Sequence, residues 1–376
     1  MSSSKVAVQL ISTGGVYGAE RVLLELAAYL KEQGWESHVL ALEGRGAEEL
    51  VRRAAALGLG AQAFTSGARL GLVPLLARLR RSLGGYRQLV VHSHGYKPDL
   101  LLRLLNVPSR LACVATVHSA YSEIARLRML ERLDRRALRR FDHAVGVSAQ
   151  IRAELLAAGV AADRATVIEN GISMPPPQAG ARQDVRDEFH LPAASRVLLQ
   201  IGRLIALKRI DLIIAALARL PDGANVHLLI VGEGEQRALL EGQVKSHALE
   251  ARVHFCGYRS DVPRLLSGAD AMVLASDTEG LPVTILEAMA ARCPIVTTSV
   301  GAIPQVLAAE RDAWLVRAGD LDGLVAAIDA ALTDPELARQ RTESAWQRFH
   351  SEYSREAMGA RYLRIYESVW ARRGWN

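Results

Sequence analysis

At 376 residues the chain exceeds what one hydrophobic core usually serves, since domains tend to hold about 100 to 200 residues, so two domains with a cleft between them are expected. Half of the residues are apolar and only 5% are aromatic, which excludes a disordered chain and suits helices layered on parallel sheet. Cys113, Cys256 and Cys293 lie far apart with no C-x-x-C spacing, which argues against a disulfide framework or a zinc site, and the net charge of +6 comes without a nucleic-acid-binding signature.

The N-terminus MSSSKVAVQLIST lacks a basic stretch followed by a long apolar run, and nowhere do about 18 apolar residues follow one another. A cytoplasmic protein is expected, with membrane contact no more than peripheral, on the inner face of the cytoplasmic membrane. The strand candidate VAVQLIS (6–12), an amphipathic segment from Ala19 to Gln33 and a second strand candidate SHVLALE (37–43) make a βαβ opening. Gly14, Gly15 and Gly18 fall between the first strand and first helix, where a missing Cβ lets backbone approach a phosphate. Their spacing does not match the dinucleotide fingerprint, and a tight turn explains them equally well.

Next come LVVHSHG (89–95) and ACVATVH (112–118), whose ends bring His92, His94 and His118 to one rim of the sheet. No nearby pair of carboxylates completes a metal site, so none is expected, and His118 is the imidazole expected to face a ligand. The segment from Ser122 to Phe141 holds seven arginines. At 100° per residue, Leu127, Leu130, Leu133 and Leu138 fall on one side and Arg128, Arg132, Arg135, Arg136, Arg139 and Arg140 on the other. The apolar side is expected to pack on the core while the arginines of 126–140 meet anionic lipid or a phosphorylated lipid acceptor; an ordinary solvated face is the plain alternative. This row adds to an uneven charge: residues 1–175 carry 23 Lys+Arg against 15 Asp+Glu, a net of +8 that leaves −2 for the remainder.

HAVGVS (143–148) and ATVIENG (165–171) complete the first series of strands, and SMPPPQAGARQ (173–183), with Pro175 to Pro177, reads as a linker. A second alternating series follows: RVLLQIGR (196–203), VHLLIVGEG (226–234), VHFCGY (253–258), AMVLAS (271–276) and PIVTTS (294–299). In doubly wound sheets ligands bind beyond the carboxyl ends of strands, so the residues ending each strand matter most. Arg203 closes one strand and Lys208 precedes the next helix, a pairing of cations that suits a diphosphate but also fits two solvated side chains. Glu279 lies in the loop before a helix for which Pro282 suits the first position, and Glu287 lies within it. Two carboxylates there can accept sugar hydroxyls, act as the acid and base of a hydrolase, or serve as a cap and a surface charge. Asp320 and Asp322 have D-x-D spacing but start a helix, and a helix cap explains them better.

Taken in order, G-G-V-Y-G-A-E-R (14–21), H-S-H-G (92–95), T-V-H (116–118), N-G-I (170–172), G-R-L-x-x-x-K (202–208), G-E-G (232–234) and E-x7-E (279–287) resemble glycosyltransferase family 4, retaining enzymes of GT-B architecture. The resemblance implies two Rossmann-like doubly wound domains facing across a cleft, 1–175 and 176–358, with 359–376 crossing back to the first. It implies that backbone at Gly14 and Gly15 approaches the phosphates, that His118 lies against the donor sugar, and that Gly202, Arg203 and Lys208 hold the diphosphate. Glu279 with Gly280, Leu281 and Pro282 would hold the sugar, Glu287 the ribose, and backbone around Gly257 and Tyr258 the base.

The implied reaction moves a sugar from a UDP- or GDP-sugar, with retention and without a metal or further cofactor. The acceptor would be a lipid-linked saccharide or other glycan of envelope or exopolysaccharide synthesis. Gln305 departs from the family, which often has Glu after the proline at 304, and this bears on donor identity. A nucleotide-sugar epimerase or hydrolase of the same fold, or a silent nucleotide-sugar-binding module, are the alternatives.

Overall fold

The computed structural model describes residues 5–13, 18–42, 46–64, 71–105, 111–118, 125–221, 225–279 and 282–375, the side chains of 125–127 excepted. They form two units, Met1–Ser173 joined by Glu352–Asn376, and Met174–Ser351. The first is built on β1 (Val6–Ser12), β2 (Glu36–Leu42), β3 (Gly60–Phe64), β4 (Leu89–His94), β5 (Leu111–Val117), β6 (His143–Gly146) and β7 (Ala165–Val167). The second is built on β8 (Arg196–Ile201), β9 (Val226–Val231), β10 (Val253–Gly257), β11 (Ala271–Leu274), β12 (Ile295–Thr298) and β13 (Trp314–Val316).

The strand orders are β3-β2-β1-β4-β5-β6-β7 and β10-β9-β8-β11-β12-β13, with every neighbouring pair parallel. These are two Rossmann-like sheets, and in each the order reverses once, between β1 and β4 and between β8 and β11. Such a reversal opens a crevice at the carboxyl ends of the two strands. All seven residues of β5 and all six of β9 are buried, as expected of parallel strands covered on both faces.

Two strands have no counterpart among the predicted ones. β3 reads GAQAF, with little β-branched or aromatic content and a half-exposed edge, and β13 is only the three residues WLV. Pro282 also stands one position earlier than expected, as the residue capping a helix that starts at Val283.

The helix Arg355–Arg372 completes the first unit. Ser354 caps it, its Oγ accepting from the Ala357 N–H at 3.1 Å. Met358, Tyr362, Ile365, Tyr366, Val369 and Trp370 recur at helical spacing and are all buried. Trp35 makes T-shaped contacts with Tyr366 and Trp370 at centroid distances of 5.6 and 5.5 Å.

Candidate functional site

At the β8–β11 reversal the chain leaves β8 through Gly202, at φ 151°, which lies against Gly232, at φ 135°. A Cβ on Gly232 would stand 1.9 Å from the Gly202 carbonyl oxygen, and one on Gly234 2.3 Å from that of Leu204, so both places admit only glycine. The Gly202 N–H donates to Val231 O and the Leu204 N–H to Glu233 O, each at 2.9 Å, stitching the turn after β8 onto the G-E-G segment. The Gly232 N–H in turn donates at 2.8 Å to the carbonyl of Gly257, which sits at φ 63° and ends β10.

This turn presents its cations differently from one another. Arg203 is exposed and makes no ion pair among the described residues. Lys208, in the short 3-10 turn Ala206–Lys208, pairs through Nζ with Glu279 Oε1, and the same oxygen accepts from Ser276 Oγ at 2.6 Å. Ser276 is held by Thr298, whose Oγ1 donates to its carbonyl at 2.7 Å. Gly301, at φ 57°, closes the other side, where a Cβ would fall 1.7 Å from Glu279 O. Arg209 adopts the left-handed conformation and pairs with Asp211 at 3.1 Å and Asp277 at 3.2 Å.

The structure therefore brings Lys208 and Glu279 together at the mouth of the reversal, with the exposed Arg203 on the same turn after β8. Tyr258 is exposed, and Glu287 is half-buried in the helix Val283–Ala290. Gly280 and Leu281 lie outside the described residues, as do Gly14 and Gly15. Asp320 caps its helix through a 2.8 Å bond from Gly323 N–H to Oδ1. Ser276, Thr298, Gly301 and Arg209 were not anticipated, because their roles arise from packing between distant strand ends.

In the first unit the three imidazoles do converge. His94 Nδ1 lies 2.9 Å from His118 Nε2, and His94 Nε2 lies 2.9 Å from Gln9 Oε1. His92 bridges Tyr366 Oη at 2.6 Å and Thr116 Oγ1 at 2.7 Å. Burial pushes His92 and His94 well below the usual imidazole range and His118 down to about 4, so all three are neutral near pH 7. Among the described residues no group of three or more His, Cys, Asp or Glu is placed to hold a metal ion.

The arginine-rich segment folds as the helix Ala125–Ala137 and the turn Leu138–Arg140, but its faces are not segregated as expected. Arg135 turns inward, only 3% exposed, and pairs with buried Asp134 at 3.0 Å and with Glu154 at 3.6 Å. Burying those carboxylates makes an inward arginine favourable, which a hydrophobic wheel cannot register. Conversely, Met129 and Leu133 are exposed, on the same side as Arg132 and Arg136.

Residues 181–348 match the family Glycosyl transferases group 1, and residues 16–174 match Glycosyltransferase Family 4. Among curated relatives, the N-acetyl-alpha-D-glucosaminyl L-malate synthase of Bacillus anthracis is 30% identical over 49% of this chain and 49% of its own length. The chain thus spans about half the length of that relative. The glycogen synthase of Mycobacterium tuberculosis is 30% identical over 75% of this chain and 69% of its own length. The Anabaena protein Alr3699/HepE, solved in complex with UDP, superposes with a TM-score of 0.79 at 20% identity, covering 97% of this chain and all of that one, a likeness of GT-B fold. The two family matches lie side by side along the chain and the glycogen synthase likeness runs through both, so the chain belongs to the group 1 glycosyltransferases of the family 4 type, with the GT-B fold.

Proposed function

We propose that the chain is a retaining, metal-independent glycosyltransferase that takes a sugar from a nucleoside diphosphate and passes it to a hydroxyl of a glycan or lipid-linked acceptor. The observation that carries this reading is the Lys208–Glu279–Ser276 cluster at the β8–β11 reversal, with the exposed guanidinium of Arg203 beside it. A cation pair meets a diphosphate, and a carboxylate next to it meets sugar hydroxyls. Anabaena HepE has been solved with UDP and with UDP-glucose, which supports a nucleotide-sugar donor and places UDP-sugars first among those to try.

In this reading Arg203 and two of the three Lys208 donors hold the β-phosphate oxygens as charge develops on them, the third donor remaining on Glu279. The bond from the anomeric carbon to the β-phosphate oxygen breaks, the bond to the acceptor oxygen forms on the same face, and the acceptor's proton passes to the departing phosphate. No protein base and no divalent ion are needed. His118 meets the donor sugar, and Glu287, Pro282 and the backbone at Gly257 and Tyr258 attend the nucleoside side.

The site faces a cytoplasmic donor pool, and the acceptor comes from envelope or exopolysaccharide synthesis. The exposed Met129 and Leu133 among arginines support peripheral contact with an anionic membrane. No helix among the described residues is long and apolar enough to cross one.

The test is incubation with UDP-glucose or GDP-mannose and candidate acceptors, with and without EDTA. An α-linked glycoside from an α-linked donor, formed equally with EDTA, is expected. An inverted product, activity lost to EDTA and restored by magnesium or manganese, or turnover of the donor alone to free or epimerised sugar would refute it.

A further inference from the structure

Beneath the C-terminal helix, the first unit carries a continuous line of hydrogen bonds that ends on an unused acceptor. Gln9 Nε2–H donates to Tyr366 Oη at 3.0 Å, while Gln9 Oε1 lies 2.9 Å from His94 Nε2. His94 Nδ1 lies 2.9 Å from His118 Nε2. Gln9 and His94 are buried, and burial keeps each imidazole neutral, with a single N–H. An amide oxygen can only accept, so the hydrogen of His94 is on Nε2 and its Nδ1 is an acceptor. His118 must then donate from Nε2, and its Nδ1 keeps a bare lone pair. That Nδ1 atom is buried and has no partner among the described residues. Turning the Gln9 amide over would reverse the line and leave an N–H there instead, and an orphaned buried N–H is the rarer and costlier outcome.

We infer that Gln9 is a positioning residue that, acting through His94, holds His118 in its Nε2–H form, so that Nδ1 accepts a hydrogen bond from a hydroxyl of the bound sugar. This rests on the donor-side role given to His118 above. The ligand chemistry follows from the lone pair: a hydroxyl can donate to it, whereas an ionised phosphate or carboxylate cannot. The other end of the line is anchored on the last helix. Tyr366 Oη, having accepted from Gln9, passes its own hydrogen to His92 Nδ1 at 2.6 Å. His92 Nε2–H then donates to Thr116 Oγ1 at 2.7 Å, and that hydroxyl shares a 2.9 Å bond with Tyr362 Oη. Tyr362 and Tyr366 stand one helical turn apart, so a segment more than two hundred residues away in sequence fixes a proton position at the end of β5.

The experiment is proton–nitrogen correlation NMR on the full chain labelled at histidine nitrogens, near neutral pH, with His118 signals assigned by their loss in His118→Asn. A protonated Nε2 and a bare Nδ1 are expected in the parent and in Gln9→Glu, whose carboxyl still accepts from His94. Gln9→Met should show mixed tautomers at His118, with KM for the donor raised roughly three- to tenfold, the worth of one neutral hydrogen bond, and kcat little changed. Gln9→Glu should restore KM. A parent His118 protonated at Nδ1, or an unchanged tautomer in folded Gln9→Met, overturns the inference. If Gln9→Met does not fold, the parent spectrum alone still decides the direction of the line. The donor used is whichever of UDP-glucose and GDP-mannose raises the melting temperature, and it should shift the Nδ1 resonance. The expected tautomer with an unmoved Nδ1 at saturation would refute the placement of His118 against the sugar, a failure distinct from that of Gln9's hold on the ring.

Discussion

Lys208 and Glu279 satisfy each other, whereas Arg203 has no counter-ion among the described residues, so the two cations of the proposed diphosphate site should not respond alike to removal. Arg203→Ala deletes one charge-assisted bond, worth about 1.5 to 3 kcal/mol, or roughly ten- to a hundredfold in affinity. Lys208→Ala deletes a similar bond and also leaves the Glu279 carboxylate, only 9% exposed, facing the diphosphate with the Ser276 hydroxyl as its remaining hydrogen-bond donor among the described residues. The expected order of affinity for UDP by calorimetry is parent, Arg203→Ala, then Lys208→Ala, with Lys208→Ala/Glu279→Gln recovering part of the loss. Unchanged affinity in both folded single variants would put the diphosphate elsewhere. These residues were legible because charged side chains at strand ends announce themselves against apolar runs. Gln9 could have been found by the same contrast, as a lone amide inside VAVQLIS, but its partner Tyr366, and Tyr362 at the far end of the same line on Thr116, are far off in sequence and look like any core-facing pair on a helix. Gly301 was illegible because its need to lack a Cβ comes from the Glu279 backbone, a contact that only the folded chain makes.

The helix Ala125–Ala137 shows where periodicity fails at the scale of an element. A wheel sorts residues by polarity, yet Arg135 is drawn inward by Asp134 and Glu154 while Met129 and Leu133 are left outside. Apolar side chains standing among arginines suit a lipid interface better than a purely cationic face does, since they enter the acyl boundary while the guanidinium groups stay at the head groups. Cosedimentation of the parent with anionic liposomes is therefore expected, weakening with salt, at roughly 1 kcal/mol for each of Arg132, Arg136, Arg139 and Arg140 near the surface. Equal binding by the parent and an Arg132→Glu/Arg136→Glu variant, or none by either, would remove this helix as a membrane-facing element. Behind it, Asp99 is wholly buried, and burial with the neighbouring Asp134 carboxyl holds its pKa well above the ordinary 3.8. A carboxyl raised in the folded state keeps its proton when the unfolded chain has lost it, so its contribution is intact below 3.8 and is lost as pH rises toward the folded value. Asp99→Asn, permanently neutral and still able to donate to Asp134, should match the parent at low pH and melt increasingly above it as pH rises, by up to about 1.4 kcal/mol per unit over that range. A stability difference independent of pH would show that Asp99 is not held protonated. The strands of the two series were legible as apolar runs, but β3 and β13 were not, since an edge strand of Ala and Gly or of three residues carries too little pattern.

Across the whole molecule, the order of the chain and the order of the fold differ. The residues of the second unit are continuous from Met174 to Ser351, while the first unit is closed by the final segment from Glu352 onward. That closure is a core contact and not a surface strap: Tyr362, Tyr366, Val369 and Trp370 are buried with Trp35, Val90, Ala112 and Val114, and Arg373 holds Asp142 at 2.8 Å. Removing one large aromatic from such a cluster costs about 3 to 5 kcal/mol, and removing the whole helix also exposes the neutral imidazole of His92 and the Gln9 amide. The second unit has its own contiguous core, and Arg186, buried and bonded to Ser195 O at 2.7 Å and Asp270 at 2.6 Å, fastens its first helix to β8 and β11. A fragment of residues 174–351 should therefore fold alone, melt cooperatively by circular dichroism and bind UDP, because Arg203, Lys208, Glu279 and Ser276 all lie within it. A fragment of residues 1–351 should retain that melting transition and that affinity while the amides of β1, β4 and β5 lose their protection in hydrogen exchange. If the shorter fragment is unfolded, the second unit depends on the first for stability. If instead residues 1–351 keep β1, β4 and β5 protected, the C-terminal helix is dispensable to the first unit's core, and the hold of Tyr362 and Tyr366 on the buried histidines is weaker than their packing implies.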